Sequence, residues 1–383
     1  MDLELRSENG HKLTIEFSVA DNSVAFRYFF HKPDDSIKPL RLSAVVNHES
    51  TSFNFPYYTT SFLSQQSKTM TGFCRTKPSY EEIHVADAPL TRKSNSGNGF
   101  TFPCLFRIGE DGWVLVSETG STSEYCGSRL SEYNPESGFT VSFPLESENN
   151  GIGSSTPAVM LPSYTPWRTI TVGKTLKPIV ETTIQYDVVD PLYESKYDYR
   201  PGRYTWSWVI WGEASMNYKD QMDFVDLAST MGYEYVLVDA RWNERLGYER
   251  IAEISRYAQN KGVHLFLWYN SNGAANDAPQ GPRGVMNNAI RRKKDMAWMQ
   301  KIGVKGIKVD FFGGDKQQTM QLYEDILSDA NDYGLQVIFH GCTLPRGWER
   351  LYPNFVASEA ALASENVKFS EHHAKSEGFE MTM

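Results

Sequence analysis

The sequence predicts an all-β N-terminal domain of the sandwich type followed by an α/β domain built as a (β/α)8 barrel of the TIM type, truncated after about six strands. Three observations predict it. The first half is a series of short alternating or aromatic-rich runs separated by Gly, Asn, Asp, Ser and Pro, without helical periodicity. In the second half, helical segments end four times at a glycine that leads straight into an apolar run. Polar or aromatic residues then stand at the carboxyl end of nearly every such run, the face on which barrels gather their chemistry.

The bulk composition fits this reading and removes several function classes. A chain of 383 residues with 40 % hydrophobic residues supports two real cores. Its formal net charge of -9 offers no basic field for phosphate backbones, which argues against nucleic acid and favours an uncharged substrate. Aromatics make up 13 % of the chain, which suits stacking on sugar rings and equally suits ordinary cores. Cys74, Cys104, Cys126 and Cys342 show no CxxC pair, so a zinc site or disulfide framework is unsupported and at most a single Cys104 to Cys126 bridge is left open. No run of about 18 apolar residues suggests a membrane span, and MDLELRSENG does not read as a signal peptide.

The N-terminal domain, residues 1–186, is read from LTIEFSVA, SVAFRYFF, FTFPCLFRI, WVLVSE, FTVSFPL and WRTITVG, expected to pack as antiparallel sheets. DVVDPLYESKYDYRPGR, residues 187–203, reads as a linker. Six strands are expected in residues 204–383: YTWSWVIW (204–211), the runs after Gly232, Gly262, Gly303 and Gly334, and FVASEA (355–360). The helices between them should turn Phe224, Leu227, Ala228 and Met231, then Ile251, Ile254 and Ala258, then Tyr323, Ile326, Leu327 and Ala330 to the core. No glycine-rich phosphate loop follows the first strand, so a doubly wound nucleotide-binding sheet loses ground to a barrel.

The strand ends carry Trp211, Asp239 with Trp242, Asn270, Asp310, His340 and Glu359. Asp310 sits between Val309 and Phe311, where an unpaired carboxylate is costly; it needs either a neutralising partner such as Lys308 or a task. Paired with Glu365 it suits glycosidic cleavage, in which one carboxylate meets the anomeric carbon and one acid the leaving oxygen. Carboxyls about 5 to 5.5 Å apart would retain configuration, and roughly 6.5 to 9.5 Å would invert it. Glu359 and Glu365, six residues apart in SEAALASEN, suit a hard cation, calcium above all, although acidic surface is common. His340, His372 and His373 offer further polar contacts, and Trp206, Trp208, Trp242, Trp268 and Trp348 a sugar platform or simple packing.

The motifs YTWSWVIW, YEYVLVDARW, GIKVDFF, VIFHGCTLPRGWERLYPNF and SEAALASEN, in that order, resemble glycoside hydrolase family 97. The resemblance implies exo-acting α-glycosidases with an N-terminal β-sandwich, a (β/α)8 barrel and a smaller C-terminal β-domain, of which this chain looks like an internal fragment. An inverting branch of that family carries a glutamate base directly after the histidine ending the fifth strand, whereas here Gly341 follows His340. A retaining branch uses an aspartate at the end of the fourth strand, the position of Asp310. The resemblance further makes Glu365 the acid/base and places Glu118 and Glu359 with Glu365 around calcium; Trp206, Asp239, Trp242, Asn270, Lys308 and His340, at or beside the strand ends, are the expected substrate contacts. It implies an α-galactoside substrate and export to the periplasm or beyond. An α-glucoside or other α-glycoside, or a non-catalytic carbohydrate-binding fragment, are the alternatives.

Overall fold

A computed structural model describes residues 1–34, 41–76, 81–271, 276–344 and 346–369; His372 and His373 lie outside them. The N-terminal strands pair antiparallel throughout, from Asp2–Arg6 to Trp167–Gly173. Hydrogen bonding joins twelve of them into one branched network, with a separate two-stranded ribbon. The branch arises because the nine-residue strand Phe100–Ile108 pairs with Thr59–Gln65 along one edge and with both Gly112–Thr119 and Arg129–Leu130 along the other. Phe100, Phe102, Cys104 and Phe106 from this strand enter a core with Leu63, Val116 and Phe139. Cys104 and Cys126 are both buried and free, so the Cys104 to Cys126 bridge does not form.

The second half builds one parallel sheet from β1 (Tyr204–Trp206), β2 (Tyr235–Val238), β3 (His264–Asn270), β4 (Gly306–Asp310), β5 (Gln336–His340) and β6 (Phe355–Glu359). Spatial order follows sequence order without reversal. A doubly wound sheet would reverse at a switch point, so the arrangement is that of a half-barrel. The curl is visible in one bond: Gln336 of β5 donates to the Tyr235 hydroxyl of β2 at 3.0 Å, across strands that lie about 14 Å apart in a flat sheet. Gly306 permits the curl locally, because a Cβ there would fall 2.2 Å from the Phe266 ring.

Alternation along each strand sorts the side chains. Val236, Val238, Leu265, Leu267, Ile307, Val309, Val337 and Phe339 face the helices α1 (Tyr218–Met231), α2 (Gly247–Asn260), α3 (Ala289–Ile302) and α4 (Gln317–Asp332). Tyr235, Leu237, Phe266 and Ile338 fill the inside with Tyr204, Trp206 and Val356. The expected core faces of α2 and α4 are buried in full. In α1, Leu227 and Met231 are instead 41 % and 49 % exposed. The inward stripe there is Gln221, Phe224, Val225 and Ala228, rotated because Gln221 is used inside, donating to Ser207 Oγ and the Ser215 carbonyl. The first strand is also shorter than expected. It ends at Trp206, and Trp208–Trp211 forms a helical turn that stops at Gly212, leaving Trp211 half exposed.

Buried charge fastens the two halves together. Asp315, five residues beyond Asp310, donates its backbone N–H to Glu148 Oε2 of the N-terminal domain at 2.9 Å. Glu148 meets Arg129 at 2.5 Å, and Arg346 lies 3.4 Å from Asp315 while pairing with Glu118. Glu118 also takes Arg168 and the Ser128 hydroxyl, and Arg168 reaches Glu49 at 2.5 Å. All these side chains are at most 5 % exposed, so each charge depends on its partner. Arg346→Met should therefore strip the cation from Glu118 and Asp315 and destabilise the protein by about 3–5 kcal/mol. Denaturant unfolding measures this, and a loss below about 1 kcal/mol would show the network to be solvated.

Candidate active site

Asp310 ends β4 on the inner face, two steps from Lys308 and opposite the helices that hold Ile307 and Val309. Its Oδ1 accepts from the Phe311 backbone N–H at 2.7 Å and lies 3.1 Å from His340 Nδ1; its Oδ2 accepts from Trp268 Nε1 at 3.1 Å. Burial works to raise its pKa, but the charge and hydrogen bond of His340, then Lys308 and Trp268, outweigh burial and hold the carboxyl below its ordinary value. Asp310 is thus a carboxylate at neutral pH. The sharp exit of the chain behind it uses Phe311 at φ +70°, a conformation bulky residues avoid. Ser271 Oγ and Asn276 Nδ2 hold that turn by donating to the Phe311 carbonyl.

His340 ends β5 and stands between carboxylates. Its Nε2 is 3.1 Å from Glu359 Oε2 and 3.3 Å from Glu365 Oε1, while Nδ1 faces Asp310. Burial alone would depress the imidazole, yet Asp310 and Glu359 push it well above its ordinary value, which favours the protonated ring. Glu359 ends β6; burial raises its carboxyl, and His340 more than reverses this. Glu365 lies on the 3-10 turn Ser364–Lys368, which leads back across the mouth toward β1, where Lys368 Nζ donates to the Trp208 carbonyl at 2.7 Å. The imidazole ring therefore touches both the Asp310 and the Glu365 carboxyl.

A second charge pair forms the other side of the floor. Lys308 Nζ is 3.8 Å from Asp239 Oδ2 and 4.0 Å above the centre of the Trp206 ring, and Trp206 Nε1 donates to Asp239 Oδ2 at 2.8 Å. Lys308 thus has Asp239 as its near carboxylate and leaves Asp310 to His340. Burial raises Asp239, opposed by Lys308. These groups line one cavity of about 680 Å³ together with Trp206, Trp208 and Trp268.

Four sequence-derived candidates lie elsewhere. Trp242 is fully buried on the helix side, stacked on Trp298 at 5.9 Å with its Nε1 bonded to the Trp268 carbonyl, so it is core rather than a substrate contact. Asn270 is fully buried and exchanges hydrogen bonds with Asn276, holding the loop behind β3 instead of meeting the cavity. Glu118 is spent on Arg168, Arg346 and Ser128 in the interdomain network, away from Glu359 and Glu365. Trp348 likewise packs against Tyr323 and Phe339.

The carboxyl group that the sequence did not single out is Glu81. It comes from the N-terminal domain and lines the same cavity. Burial first, then Asp310, Glu365 and Glu359 against the opposing charge of His340, raise its pKa to about 7. The only local signal was the Glu81–Glu82 pair ahead of a strand, which reads as solvated surface. For a cation, ligand atoms of His340, Glu359 and Glu365 lie within 4.8 Å of one another. The carboxylates suit a hard cation, and the imidazole would join them only through a deprotonated nitrogen.

Gly341 completes the geometry. It follows His340 at φ +50°, and a Cβ built on it would stand 2.9 Å from Asp310 Oδ1 and 3.3 Å from the Phe311 nitrogen. The space a side chain at 341 would need is taken by the Asp310 carboxylate.

Residues 1–191 match the family model for the glycosyl hydrolase 97 N-terminal domain, and residues 202–361 match that for glycoside hydrolase 97. A solved structure described as a beta-arabinopyranosidase is 59 % identical, with a TM-score of 0.94 over 98 % of this chain and 59 % of its own. A probable retaining alpha-galactosidase of Streptomyces bingchenggensis is 25 % identical over 96 % of this chain and 53 % of its own length. The retaining alpha-galactosidase of Bacteroides thetaiotaomicron is 29 % identical over 55 % of this chain and 32 % of its own length. This chain thus spans about half or less of the curated relatives it matches. With both domain models matched in order and the strand-end carboxylates in place, the chain belongs to glycoside hydrolase family 97.

Proposed function

We propose that this chain carries the catalytic centre of a retaining exo-glycosidase for pyranosides of galacto ring configuration, with Asp310 as nucleophile and Glu365 as acid/base. The observation that carries the reading is the steric exclusion between Gly341 and Asp310. Any side chain at position 341 would bring its Cβ against the Asp310 carboxylate, and this chain, with glycine there, keeps the carboxylate that can attack the anomeric carbon. His340, Trp268 and the Phe311 N–H keep that carboxylate ionised and aimed. In the first step Asp310 displaces the aglycone oxygen as Glu365 protonates it; in the second, Glu365 takes a proton from water, which releases the sugar from Asp310.

The names of the relatives support two substrates with one ring. A β-arabinopyranoside of the L series is an α-galactoside without the exocyclic hydroxymethyl group, and the axial and equatorial positions of the remaining hydroxyls coincide. The 59 % identity favours the pentoside as the faster substrate, and the more distant alpha-galactosidases favour the hexoside as the second. Asp239, Lys308 and Trp206 would meet the sugar at the floor. Rates on the aryl β-L-arabinopyranoside, α-galactoside and α-glucoside should fall in that order, and NMR of the first product should show the configuration of the substrate retained. An inverted first anomer, or α-glucoside as the fastest substrate, would contradict the reading.

Calcium belongs to the same proposal. Glu359 and Glu365 would hold it as hard oxygen ligands, with Glu118 no longer in the set. When bound, the ion would neutralise part of the carboxylate charge near the leaving oxygen. Chelation with EGTA should lower kcat at least tenfold, with recovery on adding calcium but not magnesium; unchanged turnover after chelation would remove calcium from the account.

A further inference from the structure

Two rows of aromatic rings climb from the floor of the cavity to its rim. From β3 and β4, Trp268 meets Phe311 at 5.8 Å and Phe311 meets Phe73 of the N-terminal domain at 6.1 Å. From β1, Trp206 stacks on Trp208 at 5.5 Å and Trp208 meets Phe369 at 6.2 Å. The outermost ring of each row is left in water: Phe73 is 55 % and Phe369 67 % exposed. We propose that these rows form a leaving-group site that takes a flat apolar aglycone, an aryl group, a reading that rests on the glycosidase function proposed above.

Four features favour an aryl group over a second sugar or a charged group. Phe311 is held at positive φ by three hydrogen bonds, a costly conformation that keeps its ring against Trp268 and Phe73. Outermost rings at a cavity mouth present uncovered apolar area of the kind that marks a binding surface. A second pyranose would bring several hydroxyls, each needing a partner once buried. Beyond the His340 cluster, the buried unpartnered side-chain atoms lining the cavity are two among the described residues, Gln280 Oε1 and Asn366 Nδ2. One acceptor and one donor match the few polar substituents of a phenolic ring. Lastly, the lining cation among the described residues besides His340 is Lys308, on the floor, while Glu81 and Glu82 add acidic groups that disfavour an anionic leaving group.

The cavity volume of about 680 Å³ leaves room for both a sugar and such a ring. The test compares three substrates of one glycosyl group on the full chain: the glycosyl fluoride, which has no aglycone to bind, the 2-naphthyl glycoside, and a disaccharide with glucose as leaving group. Phe73→Ala and Phe369→Ala change exposed side chains and are read against wild type. The fall in kcat/KM on the naphthyl glycoside should exceed that on the fluoride by about tenfold in each variant. The fall on the disaccharide should track the fluoride. Equal falls on naphthyl glycoside and fluoride would overturn the aryl site, as would a fall on the disaccharide larger than on the naphthyl glycoside. Hydrolysis of none of the three, fluoride included, would overturn the glycosidase reading and this site with it.

Discussion

Three carboxyl groups, those of Asp310, Glu359 and Glu365, lie within 3.3 Å of the His340 imidazole, and a fourth, Glu81, lines the cavity beside them. Two like charges 4 Å apart repel by about 4 kcal/mol at an effective dielectric constant of about 20, so four anions would not share this space unaided. The cluster persists because its charge is divided. His340 lowers the Asp310 and Glu359 carboxyls below their ordinary values, while burial and the neighbouring carboxylates outweigh His340 at Glu81 and raise it to about 7. Lys308 adds a second cation but spends it on Asp239. One site thereby keeps an ionised aspartate beside a carboxyl group raised to about 7.

That arrangement depends on how the chain is held behind Asp310. Phe311 turns back at positive φ, and Asp315 is clamped by the buried Glu148, Arg129 and Arg346 of the interdomain network. The N-terminal domain therefore does two things at the parallel sheet. It fixes the loop after β4, the strand that ends on Asp310, and it delivers Glu81 and Phe73 to the cavity. Glu118 belongs to the first of these tasks, its charge spent on arginines from both halves.

Much of this was legible in the sequence because it is local. The period-two alternation that puts Lys308 and Asp310 on one face, and the glycines that end helices at 232, 262, 303 and 334, are set within a few residues. So were the polar strand ends Asp239, His340 and Glu359. What the sequence did not show depends on contacts distant along the chain. Trp242 follows a strand as a sugar-stacking residue might be expected to, yet the turn at Arg241, φ +69°, sends it outward among the helices. Glu118 lies near the end of a strand and Glu81 just ahead of one, and only the packing of one domain on the other separates the structural residue from the one in the cavity. The α1 face was misread for a related reason, since an inward Gln221 carries no apolar signal.

The central claim is that Asp310 forms the bond to the anomeric carbon, and trapping that bond tests it most directly. A 5-fluoro glycosyl fluoride of the preferred sugar slows release of the glycosyl-enzyme, and peptide mapping by mass spectrometry then locates the label. The account predicts one sugar per chain on the peptide containing Asp310, at the Asp310 carboxylate. A label on Glu365, Glu359 or Glu81, or turnover of substrate at full rate with no covalent species under conditions that trap it in a retaining enzyme, would contradict it.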